Sequence, residues 1–212
     1  MGETGSALER ADIFIWVGME ALQIWDRRRE VEKGIPFLLK RDQKIPYVPK
    51  FHCLWEDPDH YSQELRKAVG RGKLRVLLAV PEDATYIETT ALVEFVAQAF
   101  GRQLKKRRGL VSCSQSVSLG KPDEHFIAIT RTCRCYCVAR VKDGKIADSQ
   151  LLDAHGGGRN ANTVEFAVRD FSAAAASMPV YYPESDEDWA LMSAGKNVPF
   201  SRIATMDKKK KR

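Results

Sequence analysis

Two groups of residues in the second half of the chain have types and spacings that could support chemistry. Cys133, Cys135 and Cys137 alternate along a predicted strand, and a glycine triplet at 156–158 precedes a predicted helix. Thiolates are zinc ligands, and glycines before a helix can bring backbone N–H groups close to a phosphate. The segment 126–160 is therefore open to three interpretations: a metal site, a phosphate loop, or a site that has lost its chemistry.

The cysteine spacing argues against zinc. Residues two apart in a strand share one face of a sheet, so C-x-C-x-C spreads its sulfurs too far to converge on one tetrahedral ion. The pattern favours cysteines that pack as small apolar side chains in a sheet core. The total of five cysteines, with no secretory leader, favours free thiols in a reducing compartment. We therefore predict no metal site.

Neither a phosphate loop nor a nucleophile is strongly indicated by the residues. The glycine triplet lacks the Gly-Lys-Ser/Thr of a P-loop. Cys113 and His155 could form a nucleophile and its base, but nothing in the sequence brings them together. We predict that the chain has no catalytic residue, holds no cofactor and is not an enzyme.

Composition limits the classes of partner. The chain has 212 residues and is 44% hydrophobic, enough for one well-packed domain. It has no apolar run of the roughly 18–20 residues that span a bilayer and no signal peptide, so we expect an intracellular protein without a membrane partner. The net charge of +6 comes largely from two blocks, 105–108 and a basic tail of Lys208, Lys209, Lys210, Lys211 and Arg212. We expect nucleic acid to be contacted only indirectly or through that tail, which slightly favours the nucleus over the cytoplasm.

The order of predicted elements indicates an α/β fold. The apolar patterning predicts a hairpin around Gly18, a buried strand at 74–80, helices at 85–100 and 162–176, and a second hairpin around 142–145. We predict a flexible N-terminus at 1–11, an α/β domain at 12–178, and an irregular acidic and aromatic segment at 179–212 that ends in the basic tail.

Over residues 12–171 this order resembles the actin superfamily. The positions that carry the resemblance are Trp16, Val17 and Gly18 for the first phosphate loop, Gln115 for the glutamine that orients the hydrolytic water, Thr130, Thr132 and Arg134 for the second phosphate loop, and Gly157 and Gly158 for a glycine pair that opens a helix. The intervals from Thr130 to Gly144 and from Gly144 to Gly158 are both fourteen residues, the spacing in actin. The resemblance implies an actin-like, ribonuclease H-like mixed sheet flanked by helices, amounting to about one half of the actin fold.

The departures from the family pattern bear on function. Trp16 and Thr130 replace the two aspartates of the phosphate loops, while Thr132 and Arg134 replace two glycines. Carboxylates hold Mg²⁺ through its waters, and glycines let backbone N–H groups approach phosphate oxygens. The resemblance therefore implies a degenerate nucleotide site, in which Gln115 has no nucleotide to act on.

The resemblance also implies that the half of the fold that binds adenosine is missing, which would leave a surface for a partner to cover. We expect the aromatic residues of the acidic segment to bind that partner; these are Tyr181, Tyr182, Trp189 and Phe200.

Three functions remain open. The first is a non-catalytic scaffold subunit of a chromatin-associated, cytoskeletal or motor-associated assembly, whose partners are other protein subunits, among them a second actin-like protein. The second is a small actin-like ATPase with an atypical site, favoured by Gln115, Asp143 and Gly158. The third is a bacterial actin-like scaffold for a pilus or secretion system.

Overall fold

The structure, a computed structural model, describes residues 11–38, 48–104, 109–118, 125–154, 160–173, 178–183 and 189–199. The chain divides into two compact units, Met1–Val111 and Ser112–Arg212. The 12–178 segment that the sequence predicts as one domain is therefore shared between two units. No helix in the described ranges has the length and apolar character needed to cross a membrane.

The first unit is built on a mixed five-stranded sheet. Its strands are β1 (Ile13–Val17), β2 (Ala21–Asp26), β3 (Val31–Pro36), β4 (Val76–Val80) and β5 (Gly109–Ser112), in the order β3-β2-β1-β4-β5. The β1–β2 and β2–β3 pairs are antiparallel, and β1–β4 is parallel. Every residue of β1 and β4 is buried, which explains why both strands are continuous apolar runs. The predicted hairpin around Gly18 is confirmed.

Helices cover one face of this sheet. They are α1 (Cys53–Glu56), α2 (Pro58–Ala68) and α3 (Tyr86–Phe100), and short 3₁₀ turns occupy Lys50–His52 and Gly101–Gln103. The α3 helix begins with a reciprocal capping box between Thr85 and Glu88 and ends at Gly101, whose φ is 48°. Leu92, Phe95 and other apolar residues of α3 pack on a core that includes Ile13 and Ile15.

The second unit holds another mixed sheet. Its strands are β6 (His125–Arg131), β7 (Cys135–Lys142), β8 (Lys145–Asp153), β9 (Val180–Pro183) and β10 (Lys196–Val198), in the order β10-β9-β6-β7-β8. The β6–β7 and β7–β8 pairs are antiparallel, while β9 is parallel to β6 and β10. Asp143 and Gly144 join β7 to β8 with φ values of 50° and 70°, a left-handed pair that matches the predicted turn.

Helices lie on both faces of the second sheet. The short helix α4 (Cys113–Val117) contacts one face, while α5 (Asn160–Ala173) and α6 (Trp189–Ala194) pack on the other. The core between the sheet and α5 and α6 includes Ile127, Val138, Val164 and Leu191. The predicted α/β class, with mixed sheets flanked by helices, is confirmed.

One sequence prediction fails in this unit. The segment from 179 onwards was expected to be irregular, yet it supplies β9, α6 and β10. Each element is six residues or shorter, and Val180 and Tyr181 pair with Ile127 and Ala128 of β6. A strand of four residues carries little periodicity of its own. Its pairing could not be read locally either, because its partner strand lies more than fifty residues away in sequence.

Candidate functional site

The first hairpin places an indole where the resemblance calls for a carboxylate. Trp16 is 1% exposed, pairs with Ala79 of β4 and Gln23 of β2, and meets the Phe14 ring edge-on at 6.3 Å between ring centroids. A Mg²⁺ ion is held through oxygen ligands and their waters, which a buried indole does not supply. This position can pack the sheet but cannot hold the metal of a nucleotide.

The turn after Trp16 is closed by a hydrogen bond within its own backbone. The Gly18 N–H donates to the Ala21 carbonyl oxygen at 3.0 Å. A Cβ at position 18 would lie 3.1 Å from that oxygen and 3.6 Å from the Trp16 ring, so glycine fits where a larger residue would crowd the turn. The loop therefore keeps the glycine of the resemblance while losing the acidic residue.

The turn between β6 and β7 uses a side chain to satisfy its backbone. Thr132 Oγ1 accepts hydrogen bonds from the N–H groups of Arg134 at 3.1 Å and Cys135 at 3.0 Å. The Thr132 N–H in turn donates to the Cys135 carbonyl oxygen at 2.9 Å. Backbone N–H groups in such a turn are what a phosphate-binding loop offers to its ligand. Here two of them are directed to the hydroxyl of Thr132, which is 8% exposed.

Thr130, at the second aspartate position, belongs to a buried hydroxyl pair. Its Oγ1 lies 3.2 Å from Ser114 Oγ of α4, and Ser114 also approaches the Cys137 sulfur at 3.7 Å. Both hydroxyls are fully buried. Ser114 is not among the site residues predicted from sequence, although its place near the start of a helix after a short strand was a signal that it could face the sheet. The pair holds α4 on the sheet and presents no charge to a ligand.

Gln115 is engaged within the second unit. Its Nε2 donates to the Gly144 carbonyl oxygen at 3.2 Å, and its backbone N–H donates to Ser112 Oγ, the cap of α4. This side chain therefore links α4 to the β7–β8 turn, a structural contact that the sequence did not predict. Gly157 and Gly158 lie outside the described residues.

The cysteines occupy two environments rather than one face of a strand. Cys135 and Cys137 are buried in β7, but Cys133 precedes the strand and is partly exposed in the turn. Among the residues that the structure describes, no group of three His, Cys, Asp or Glu side chains could hold a metal ion. Cys113 is buried, and the His155 suggested as its base lies outside the described ranges.

Two of the predicted partner-binding residues are core residues. Tyr181 is 7% exposed and packs edge-on against Phe126 at 5.6 Å, while Tyr182 is 4% exposed and belongs to the core with Leu191. Because β9 lies between β6 and β10, both of its edges are paired, and the packing of the two tyrosines leaves neither side chain exposed. The prediction that these tyrosines bind a partner is therefore wrong. Trp189 is the first residue of α6, and Phe200 and the basic tail 208–212 lie outside the described residues.

Comparison with known proteins gives a match of fold without a match of sequence. No protein-family model and no curated protein matches the chain. Solved structures do match: the ethanolamine utilization protein EutJ from Carboxydothermus hydrogenoformans has a TM-score of 0.53 and 11% identity, over 92% of this chain and 89% of EutJ. An AlfA filament bound to AMPPNP has a TM-score of 0.51 and 9% identity, over 87% of this chain and 88% of AlfA.

These coverages revise one expectation. The inference that an adenosine-binding half is missing finds no support, because the chain spans most of two compact actin-like proteins and contains two sheets. A surface left bare by a missing half is therefore no longer an argument for a partner. At these identities the likeness establishes architecture alone. Its two mixed sheets and its match to EutJ and AlfA give this chain an actin-like fold.

Proposed function

We propose that this protein is a non-catalytic, actin-like subunit of a larger protein assembly, with a nucleotide site that has lost its chemistry. The observation that carries the proposal is the Thr132 hydroxyl, which accepts the N–H groups of Arg134 and Cys135 in the turn of the second phosphate-loop position. The buried Trp16 supports it, because the first loop position lacks a carboxylate for Mg²⁺.

Both loops disfavour the binding of a nucleotide phosphate. A phosphate entering the β6–β7 turn would have to displace hydrogen bonds that Thr132 already makes, each worth about 1 kcal/mol net. It would also lack the carboxylates that hold Mg²⁺, the cation that offsets the negative charge of the nucleotide phosphates. We therefore expect Mg-ATP to bind weakly or not at all, and expect no hydrolysis.

The partners that we propose are other protein subunits, including a second actin-like chain, inside the cell. A bacterial scaffold is one version of this function, and the similar fold and coverage of EutJ, a bacterial protein, are compatible with a bacterial source. A nuclear location for the assembly is also proposed, and it depends on the basic tail 208–212.

A second candidate is a nucleotide-binding actin-like protein with an atypical site. It is favoured by the AlfA filament, which has a similar fold and was bound to AMPPNP, and by the Gly18 turn that this chain retains. Thermal unfolding with and without saturating Mg-ATP separates the two candidates. We expect no change in Tm, with AlfA and AMPPNP as the positive control. A raised Tm would support the second candidate, because a ligand that binds only the folded state stabilises it.

The scaffold role itself is tested by affinity purification of the tagged full chain from its native source. We expect partners in fixed stoichiometry, measured by quantitative mass spectrometry. A chain recovered alone, at native abundance and in low salt, would contradict the assembly proposal even if Mg-ATP does not bind.

A further inference from the structure

The second sheet ends in an edge strand that is long and exposed. β8 has nine residues and stands at one end of the order β10-β9-β6-β7-β8. Seven of these nine residues are exposed, and no other strand in the described ranges pairs with the outer edge of β8. The opposite edge strand, β10, has three residues, and the edge strand β3 of the first unit ends in Pro36. A row of unpaired backbone N–H and C=O groups is a template for a further strand, and β8 offers the longest such row in the described part of the chain.

The middle of this strand shows how the free edge is satisfied in a single copy. The Ser149 N–H donates to Oδ1 of Asp148, its own neighbour, at 2.9 Å, and both residues are exposed. In an antiparallel ladder, residues alternate between those that bond to the partner strand and those that point away from it. A donor bound by an adjacent side chain belongs to the second set. The carbonyl oxygen of an incoming strand can replace the carboxylate, which then returns to water, so we expect pairing about Ser149.

The two ends of β8 carry opposite charges. At the turn, Lys145 lies opposite Lys142 of β7, whereas the other end of the strand is Asp153. If a second copy of β8 is laid antiparallel to the first about a two-fold axis at Ser149, Lys145 of each copy lies opposite Asp153 of the other. Opposite charges that face each other across an antiparallel pair are favourable, and here they occur twice. A parallel arrangement would put lysine beside lysine, so the charges favour the antiparallel one.

The apolar residues of β8 fit the same symmetry. Leu151 is exposed, and in this arrangement it lies opposite Ala147 of the other copy. The register of β7 and β8 shifts between Arg140 and Val141, which leaves Ala147 as the extra residue of a bulge. The small side chain of Ala147 leaves room for Leu151, and a shift of one residue at the bulge still leaves Asp153 beside the lysine end. Pairing would therefore remove an exposed apolar side chain of each copy from water.

We propose that β8 pairs with β8 of a second copy of this chain, antiparallel and about a two-fold axis at Ser149, so that the two five-stranded sheets join into one. Such a contact uses the same surface on both copies, closes with two copies and does not propagate into a filament. It rests on the proposed function in one respect, since it names a second actin-like chain as a partner, but it involves none of the nucleotide-site positions.

Sedimentation velocity of the full chain over a range of concentrations measures the contact, and we expect a monomer–dimer equilibrium. Ser149→Pro removes the central N–H and should weaken dimerisation by about tenfold or more. Circular dichroism checks that this variant is folded, because proline is tolerated on the outer edge of a sheet. Lys145→Glu should also weaken dimerisation, and Lys145→Glu combined with Asp153→Lys should recover much of the loss. Lys196→Glu is the matched control, because Lys196 is exposed on the opposite edge strand and its reversal changes the net charge equally.

Cysteine substitution locates the two-fold axis. Directly opposed residues of a hydrogen-bonded antiparallel pair have Cα atoms about 5.5 Å apart, within the reach of a disulfide. Ser149→Cys should therefore form a disulfide between copies when oxidised glutathione is added. Gln150→Cys lies opposite Asp148 of the other copy and should form far less. The wild-type chain under the same conditions gives the background from its own free cysteines.

Four results would each overturn the contact. A chain that stays monomeric at every concentration excludes it; if the native source still yields partners of other sequence, only this contact fails and the assembly proposal stands. A dimer that Ser149→Pro leaves intact, or equal cross-linking through positions 149 and 150, places the association on another surface. Equal weakening by Lys145→Glu and Lys196→Glu shows an effect of net charge without strand pairing.

Discussion

The hairpins β1–β2 and β6–β7 occupy equivalent places in the resemblance to actin, but they depart from it by different physical routes. In the first, a fully buried indole stands at the acidic position and the turn keeps its glycine. In the second, small hydroxyl residues stand at the acidic position and at the first of two glycine positions, and the Thr132 hydroxyl accepts a hydrogen bond from the backbone of the turn. In the first loop an apolar ring occupies the acidic position, and in the second loop a side-chain hydroxyl accepts the hydrogen bonds of the backbone N–H groups.

The two replacements differ in how much of the folding free energy depends on them. Trp16 is part of the sheet core, so its replacement disturbs the packing of β1 against β4. Thr132 lies in a turn, where its contribution is a pair of hydrogen bonds. We therefore expect the first hairpin to tolerate the residue of the actin pattern far less than the second.

The largest effect is expected from Trp16→Asp. Loss of the indole alone should cost about 3–5 kcal/mol of unfolding free energy, and an unpaired carboxylate in the sheet core adds to that cost. Urea unfolding followed by circular dichroism measures it. Trp16→Phe is the control and should lose less, because it keeps an aromatic ring beside Phe14. A Trp16→Asp chain of unchanged stability that also binds Mg-ATP would contradict the inference that the first hairpin depends on the buried indole.

The next largest loss of stability is expected at Asp26, the last residue of β2, whose hydrogen bonds depend on its negative charge. The buried carboxylate of Asp26 accepts hydrogen bonds from Arg28, from Arg29 Nε at 2.9 Å and from the Gly70 N–H. Asp26→Asn should cost about 2 kcal/mol, the scale of hydrogen bonds to a charged group. Chemical unfolding at neutral pH measures this loss. Glu94→Gln is the control and should have little effect, because the Glu94 side chain is on the exposed side of α3.

The same residue gives the first hairpin a dependence on pH. Burial raises the pKa of Asp26, but hydrogen bonds and charge from Arg28 outweigh burial and lower the pKa below its usual value. A lowered pKa contributes stability that is present above about pH 4 and is lost as pH falls through the folded-state pKa. Asp26→Asn should therefore flatten the acid limb of stability. Part of that limb should remain, because Asp12 beside Arg75 also has a lowered pKa. A wild-type acid limb in Asp26→Asn would contradict this assignment.

The smallest effect is expected from Thr132→Val in the second hairpin. This change keeps the shape but removes the acceptor of the Arg134 and Cys135 N–H groups, at a cost of about 1–2 kcal/mol. Hydrogen exchange should show faster exchange at those two amides, while Thr132→Ser keeps the hydroxyl and serves as the control. Unchanged exchange at both amides would show that Thr132 does not hold the turn.

Much of the fold was accessible from local sequence signals. The apolar run of β4, the Gly18 hairpin, the left-handed Asp143-Gly144 turn and the capped helix α3 follow from periodicity and turn chemistry, which act between residues close in sequence. The strand β9 was missed because its burial depends on β6, a partner distant in sequence. For the same reason Tyr181 and Tyr182 were assigned to a binding surface and proved to be core residues.

The candidate site divides in the same way. The loss of the aspartates at positions 16 and 130 could be read from residue type alone. The role of their replacements could not, because Thr130 pairs with Ser114 and Gln115 bonds to Gly144 only after strands and helix have packed.

By itself, the sequence determined the α/β class, the order of the principal elements and the absence of carboxylates at two key positions. These are consequences of local periodicity and residue identity. The tertiary structure decided which polar groups satisfy one another and which aromatic residues are buried. Those outcomes depend on contacts between segments far apart in the chain, and hydrogen bonding, burial and charge are properties of such contacts.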